Sequence, residues 1–220
     1  MSTTEPATSS PYPRLNEPAP DFQAVTTQGV KKLSGYRGKW VVLFSHPADF
    51  TPVCSTEFHG FAARAGEFEA RNVQLLGLSI DSVHSHLAWI TDLERIFGQK
   101  IPFPVIADLD MKVAKLYGMI HPGISNTSAI RSVFVIDDKG VLRAMIYYPM
   151  SAGRNISEIL RLVDSLQTTD THGTPTPANW NPGDPVIVPP PVEASAVESE
   201  QEAQEKGYDY KSWYLRFKQL

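Results

Sequence analysis

The chain has 220 residues, 42% hydrophobic and 20% charged, with a formal net charge of -4. That length allows one substantial core plus an appendage, and that balance is typical of a soluble globular protein. Two classes are excluded: without a basic run there is no general nucleic-acid surface, and the longest convincing apolar run, residues 40–44, falls far short of the roughly 20 residues a membrane span needs.

Residues 1–14 are expected to form a disordered tail. The first ten are rich in Ser and Thr and show neither the basic start nor the apolar stretch of a secretion signal. From residue 39 to about 167, segments of two different periods alternate, the pattern of an α/β domain, placed here at residues 15–167. Residues 40–44 read as a buried strand. The spacing then predicts a helix over 52–70 with Cys54, Phe58, Phe61, Ala62, Ala65 and Phe68 on one stripe that turns Cys54 toward the sheet. Residues 73–80 form a second strand, and Ser82 caps a helix whose apolar positions include Val83, Leu87, Ile90 and Phe97. A short strand over 103–107 and a short helix over 111–117, ended by Gly118, precede a loop to Ile130. Residues 131–136 and 141–147 are joined by the turn Asp137-Asp138-Lys139-Gly140, and Asn155 caps a final helix with Ile156, Ile159, Leu160 and Val163.

Composition shifts after that helix. Residues 175–191 hold seven of the chain's 18 prolines, which predicts an extended arm. A polar helix over 194–206 follows, then Trp213-Tyr214-Leu215-Arg216-Phe217. Residues 168–220 are therefore expected to form a C-terminal extension that packs on another surface, such as a second subunit.

Cys54 is the only cysteine, so its chemistry is that of a thiol. Thr51 suits a helix cap and Pro52 the first helical position, which puts Cys54 third in the helix. There, unpaired N–H groups and the positive end of the macrodipole favour a negative charge, and the thiolate is the nucleophile. One cysteine in a chain this size fits a reducing compartment, and a cytoplasmic location is expected.

The run His46-Pro47-Ala48-Asp49-Phe50-Thr51-Pro52-Val53-Cys54 resembles the peroxiredoxins, specifically their one-cysteine branch, through the pattern P-x-x-x-T-x-x-C. Trp89 in a His-Leu-x-Trp-Ile stretch, Arg131 before Val-Phe-Val-Ile-Asp, Gly153-Arg154-Asn155, Thr176-Pro177-Ala178-Asn179-Trp180 and the aromatic C-terminus extend the resemblance over residues 18–220. It implies a thioredoxin-like fold and a peroxidase that reduces hydrogen peroxide and organic hydroperoxides, with Cys54, Thr51 and Arg131 as the catalytic group. Thr51 would hydrogen-bond thiolate and peroxide. Arg131 would bring a permanent charge and fixed donors, and Pro47 would shield the site. In the resemblance Glu57 and Arg154 hold Arg131, and His46 lies near the sulfur.

No resolving cysteine exists, so the sulfenic acid formed on Cys54 would be reduced by an external thiol. No cofactor and no metal ligand set is expected. His84 and His86, two apart on a helix, face different directions. Partners implied by the resemblance are a peroxide, a thiol reductant and a second copy in a homodimer, with rings of dimers as the higher assembly. The reading of a different class is an oligomeric redox sensor or holdase in which oxidation of Cys54 changes assembly. A thiol–disulfide oxidoreductase would use Cys-x-x-Cys, which is missing. The Ser of a phospholipase-type G-x-S-x-G element is also missing from Arg37-Gly38-Lys39-Trp40-Val41.

Overall fold

A computed structural model of the chain describes residues 12–220. Of the expected disordered tail, residues 1–11 lie outside the described residues, whereas the Tyr12 ring lies against Gly118 and Arg14 pairs with Glu17 at 3.8 Å. The chain divides into two compact units, Met1–Ile156 and Ser157–Leu220. Composition placed the boundary after residue 167, so the helix expected to end the first domain belongs almost wholly to the second unit.

The first unit is built on β1 (Gln23–Thr26), β2 (Gly29–Lys32), β3 (Trp40–Ser45), α1 (Pro52–Ala63), α2 (Ala65–Ala70), β4 (Val73–Ser79), α3 (Val83–Phe97), β5 (Val105–Ala107), α4 (Lys112–Leu116), β6 (Arg131–Ile136) and β7 (Leu142–Tyr148). Seven strands form one sheet in the order β2-β1-β5-β4-β3-β6-β7. β3, β4 and β5 run parallel, so each must be joined to the next by a crossover, which α1 with α2 and then α3 supply. β6 and β7 return antiparallel as a hairpin. This mixed, helix-flanked sheet is the expected thioredoxin-like fold.

Every residue of β3 and β6 is buried, as befits strands in the middle of a sheet covered on both faces. On one face Phe44 stacks on Phe61 at 4.1 Å and meets Phe58 and Phe103 edge-on at 5.6 Å. On the other, Tyr117 meets Phe134 at 5.0 Å within a cluster that includes Leu43, Leu76 and Ile136.

The α/β alternation, the strand over 73–80 and the hairpin at 137–140 stand where the sequence puts them. Four details differ. The helix expected over 52–70 is interrupted at Arg64, whose ψ of 10° breaks the helical path. On α3 the buried residues are His86, Trp89 and Leu93, while Leu87 and Phe97 are exposed. The polar segment after the arm is a 3-10 turn (Ala194–Ala196) and then α6 (Glu200–Glu205), because Ser199 and Glu202 form a reciprocal cap that starts a new helix. β1 and β2 were not expected at all.

The second unit holds nearly all of α5 (Ile156–His172) and a three-stranded antiparallel sheet, β8 (Val186–Ile187), β10 (Leu215–Lys218) and β9 (Asp209–Ser212), in that order. Trp180 anchors the proline-rich arm, with its indole N–H donating to the Asp184 carbonyl at 2.9 Å. Buried Arg216 pairs with Glu198 and donates to the Pro189 carbonyl at 3.1 Å. Trp213 and Tyr214, between β9 and β10, are exposed. Among the described residues no helix is long and apolar enough to cross a membrane.

Phe44 contacts two rings on α1 and a third just before β5, and is wholly buried. Phe44→Ala should therefore lower the stability of the chain by about 3–5 kcal/mol, read as a lower urea midpoint at unchanged slope. A midpoint equal to that of the parent would show that the aromatic face is not a rigid core.

Candidate active site

The sheet register determines what meets Cys54. β3 and β6 pair antiparallel, with Leu43 opposite Phe134 and Phe44 opposite Val133. Continuing that register puts the first residue of β6, Arg131, at the same sheet edge as the end of β3. The chain leaves that edge through His46 and Pro47, passes Phe50 in a left-handed conformation (φ 55°), and enters α1 at Thr51. Cys54 is thus delivered on the first turn of α1, fully buried, facing Arg131.

The contacts are specific. Arg131 Nη1 donates to Cys54 Sγ at 3.2 Å and to Glu57 Oε2 at 2.8 Å, while its Nε donates to the Met150 carbonyl at 2.9 Å. Glu57 lies one helical turn after Cys54, and its carboxylate also accepts from Arg154: the backbone N–H and Nε reach Oε1, both at 2.9 Å, and Nη2 reaches Oε2 at 2.6 Å. Arg154 Nη1 donates to the carbonyls of Ser45 and Ser132 at 2.9 and 3.0 Å, tying the guanidinium to both central strands. The same group lies over the rings of Phe44 and Phe61 at 5.2 and 5.5 Å.

Charge completes the picture. Two buried guanidiniums face one carboxylate, so the set is neutral only when Cys54 supplies the second negative charge. Burial pulls the Arg154 guanidinium below its ordinary value, with Arg131 adding to the pull; Glu57 and Cys54 act in the opposite sense.

The other expected residues are placed as follows. Thr51 occupies the cap position with extended backbone but makes no side-chain cap bond; its hydroxyl donates to the Ala48 carbonyl at 2.8 Å, not to sulfur. That hydroxyl keeps its lone pairs as acceptors. Pro47 is half-buried in the entering loop. His46 is fully buried and bonded through Nε2 to Asp49 at 2.9 Å, while Nδ1 has no protein partner.

Sequence reasoning missed two buried neighbours, Asp49 and His86. His86 Nδ1 lies 2.8 Å from Asp49 Oδ2, and His46, Asp49 and His86 bring their ligating atoms within 4.8 Å of one another. The available signal was Asp49 itself, three residues after His46 in a run that otherwise carries the chemistry. Burial alone would raise the Asp49 carboxyl, but the two imidazoles hold it far below the usual carboxylate range.

The AhpC/TSA family model matches residues 15–145, and the model for the C-terminal domain of 1-Cys peroxiredoxin matches residues 165–206. The chain is 55% identical over 208 residues to Peroxiredoxin 2 of Caldanaerobacter subterraneus subsp. tengcongensis, covering 94% of each, and 55% identical over 214 residues to Peroxiredoxin of Aquifex aeolicus, covering 92% of this chain and 95% of the other. Among solved structures it resembles the yeast mitochondrial 1-Cys peroxiredoxin (TM-score 0.81, 42% identity, 94% of this chain and 99% of that one). It also resembles the C45S mutant of peroxiredoxin 6 of Arenicola marina (TM-score 0.83, 38% identity, 94% and 97%). Likeness at this identity over more than nine-tenths of the chain, with the extension included, places it plainly: the chain belongs to the peroxiredoxins, thiol-dependent peroxidases of the AhpC/TSA family, in their one-cysteine branch.

Proposed function

We propose that Cys54 is the peroxidatic thiol, that it reduces hydrogen peroxide and organic hydroperoxides, and that an external thiol restores it. The observation that carries this reading is the single guanidinium nitrogen, Arg131 Nη1, shared between Cys54 Sγ and Glu57. A donor fixed against the sulfur by a buried carboxylate can also serve the oxygens of a peroxide arriving there, without reorganising.

In the proposed reaction the Cys54 thiolate attacks one peroxide oxygen. An S–O bond forms and the O–O bond breaks; the proton of the attacked oxygen passes to the other, which leaves as water or an alcohol, and the sulfenate on Cys54 takes up a solvent proton to become the sulfenic acid. Arg131 stabilises charge on the departing oxygen, and the Thr51 hydroxyl, whose proton is committed to Ala48, accepts the peroxide O–H. Arg154 acts through Glu57, donating to both of its carboxylate oxygens. The sulfenic acid then condenses with an external thiol, releasing water and leaving a mixed disulfide, which a second thiol resolves to Cys54 and an external disulfide. In the yeast mitochondrial 1-Cys peroxiredoxin, thiol resolution runs through glutathione and thioredoxin systems, and thiols of this class are the first candidates here. A reducing, cytoplasmic setting that supplies them is part of the same proposal.

A homodimer is proposed as the working unit, with larger rings as its further assembly. Support comes from Trp213 and Tyr214, two exposed aromatic residues on the C-terminal hairpin, a composition enriched at interfaces.

Rapid mixing of the reduced chain with peroxide should oxidise Cys54 far faster than a free thiol reacts. Arg131→Met should slow that step by about 100-fold or more, and Arg131→Lys should not restore it, since one ammonium cannot span Cys54, Glu57 and Met150. A wild-type rate no faster than a free thiol, joined to an oxidation-dependent change in assembly, would favour a sensor or holdase instead.

After stoichiometric oxidation, glutathione and a thioredoxin system are screened separately for sustained turnover. Recovery with neither, at thiol concentrations that reduce small disulfides, would contradict the external-thiol step. Trp213→Ala combined with Tyr214→Ala should raise the dimer dissociation constant by at least tenfold in sedimentation runs; an unchanged constant would remove this hairpin from the interface.

A further inference from the structure

A second buried polar set borders the first and takes no part in the steps above. Asp49 Oδ1 lies 2.9 Å from His46 Nε2, and Asp49 Oδ2 accepts from the Ser85 hydroxyl at 2.8 Å. His86 Nδ1 lies 2.8 Å from Oδ2 and 3.0 Å from Oδ1, and His86 Nε2 lies 3.0 Å from the carbonyl oxygen of Ile106. Both imidazoles are 0% exposed. The backbone N–H of Asp49 is held by Asp81 at 3.0 Å.

Counting donors and acceptors constrains the charges. A backbone carbonyl only accepts, and so does an ionised carboxylate. His86 faces an oxygen at each ring nitrogen, so full pairing of this set needs a hydrogen on both, opposite the Asp49 carboxylate. His46 spends its Nε2–H on the same carboxylate, and its Nδ1 has no partner in the protein. Burial pulls the His46 imidazole below its ordinary value and His86 and Arg154 add to that, against the opposite pull of Asp49. A proton on Nδ1 would therefore be a buried, unpaired charge. The groups facing His46 are Asp49 on its own loop, His86 and Trp89 on α3, Phe58 on α1 and, at longer range, Arg154.

We propose that Asp49 and His86 are positioning residues for the thiol chemistry: as a self-neutralising pair they lock His46 with its hydrogen on Nε2 and keep Nδ1 a bare acceptor. The His46 ring meets Phe58 edge-on at 4.7 Å, and Phe58 follows Cys54 by one turn on the buried face of α1. A neutral His46 leaves the two guanidiniums as the only cations balanced against Glu57 and the thiolate. A charged His46 would add a third. The functional consequence rests on the peroxidase reading above; the protonation pattern does not.

The test is nitrogen NMR on the full-length, reduced chain labelled in histidine. From about pH 6 to about pH 8, His86 should show two protonated ring nitrogens and His46 one protonated and one bare. In His86→Gln the amide still reaches Asp49 but brings no charge, so the carboxylate should draw a second proton onto His46 as pH falls through the neutral range. Over that range the rate of peroxide oxidation of Cys54 should depart from wild type by roughly 3- to 10-fold, because a third cation then faces the thiolate. Adding Asp49→Asn to that variant removes the anion, and should return His46 to its bare state and the rate profile to the wild-type shape. A singly protonated His86 in wild type would overturn the proposal, and so would a His46 that stays bare at every pH in His86→Gln. Stoichiometric uptake of zinc with loss of both imidazole signals would do the same, since a metal and not a proton would then be the cation. The wild-type spectrum decides even if a variant fails to fold. A wild-type rate no faster than a free thiol sinks the peroxidase reading while leaving that spectrum unaffected.

Discussion

The Glu57 carboxylate is the contact on which the site depends. It is nearly fully buried between two guanidiniums, and each of those does something that requires the carboxylate to be there. Arg131 alone, at the first position of a strand, could turn in many directions; bonded to Glu57 and to the Met150 carbonyl, it is held with Nη1 against the sulfur. Arg154 donates from all three of its guanidinium nitrogens, to Glu57, Ser45 and Ser132. Removing one member of such a buried ion set leaves uncompensated charge and costs about 3–5 kcal/mol in comparable cases. Stability and the placement of Arg131 against Cys54 are therefore coupled through the same atoms.

Backbone geometry makes this convergence possible. β3 and β6 are antiparallel neighbours, so the end of one and the start of the other share a sheet edge, and the loop from β3 bends straight into α1. Arg154 carries the arrangement further by donating to a carbonyl on each of those strands. The Cys54 sulfur is thereby referenced to the most buried part of the sheet, not to the mobile ends of long side chains.

The start of α1 was legible in the sequence because it is decided locally: Thr51 with Pro52 allows one conformation at the helix entrance, and Cys54 follows by counting. Local chemistry does not set hydroxyl orientation, and Thr51 turns to Ala48 instead of capping. Apolar spacing carried Phe58, Phe61 and Phe68 correctly to the core, yet a stripe of this kind tolerates the break at Arg64 and cannot reveal it. The face of α3 was misread for a related reason. Hydrophobic periodicity counts histidine as polar, so it passes over His86, although both nitrogens are satisfied and the ring is buried beside Trp89. β1 and β2 escaped notice because their residues are largely exposed and carry no clear apolar alternation. Glu57 and Arg154 came from resemblance, since nothing in their immediate neighbours distinguishes them from a solvated helix face or a loop.

The end of β3 serves both buried polar sets in consecutive residues. The Ser45 carbonyl accepts from Arg154, and the next residue, His46, donates to Asp49. Each set holds one carboxylate among its own partners, and these divide cleanly: guanidiniums for Glu57, imidazoles for Asp49. The division has a chemical logic. Guanidiniums stay charged at any pH the protein meets, which suits the side facing a thiolate. An imidazole can change charge, and so belongs where a dedicated carboxylate fixes its state. Had the two been exchanged, the charge beside the sulfur would vary with pH and the guanidinium would be spent on a carboxylate that touches no thiol.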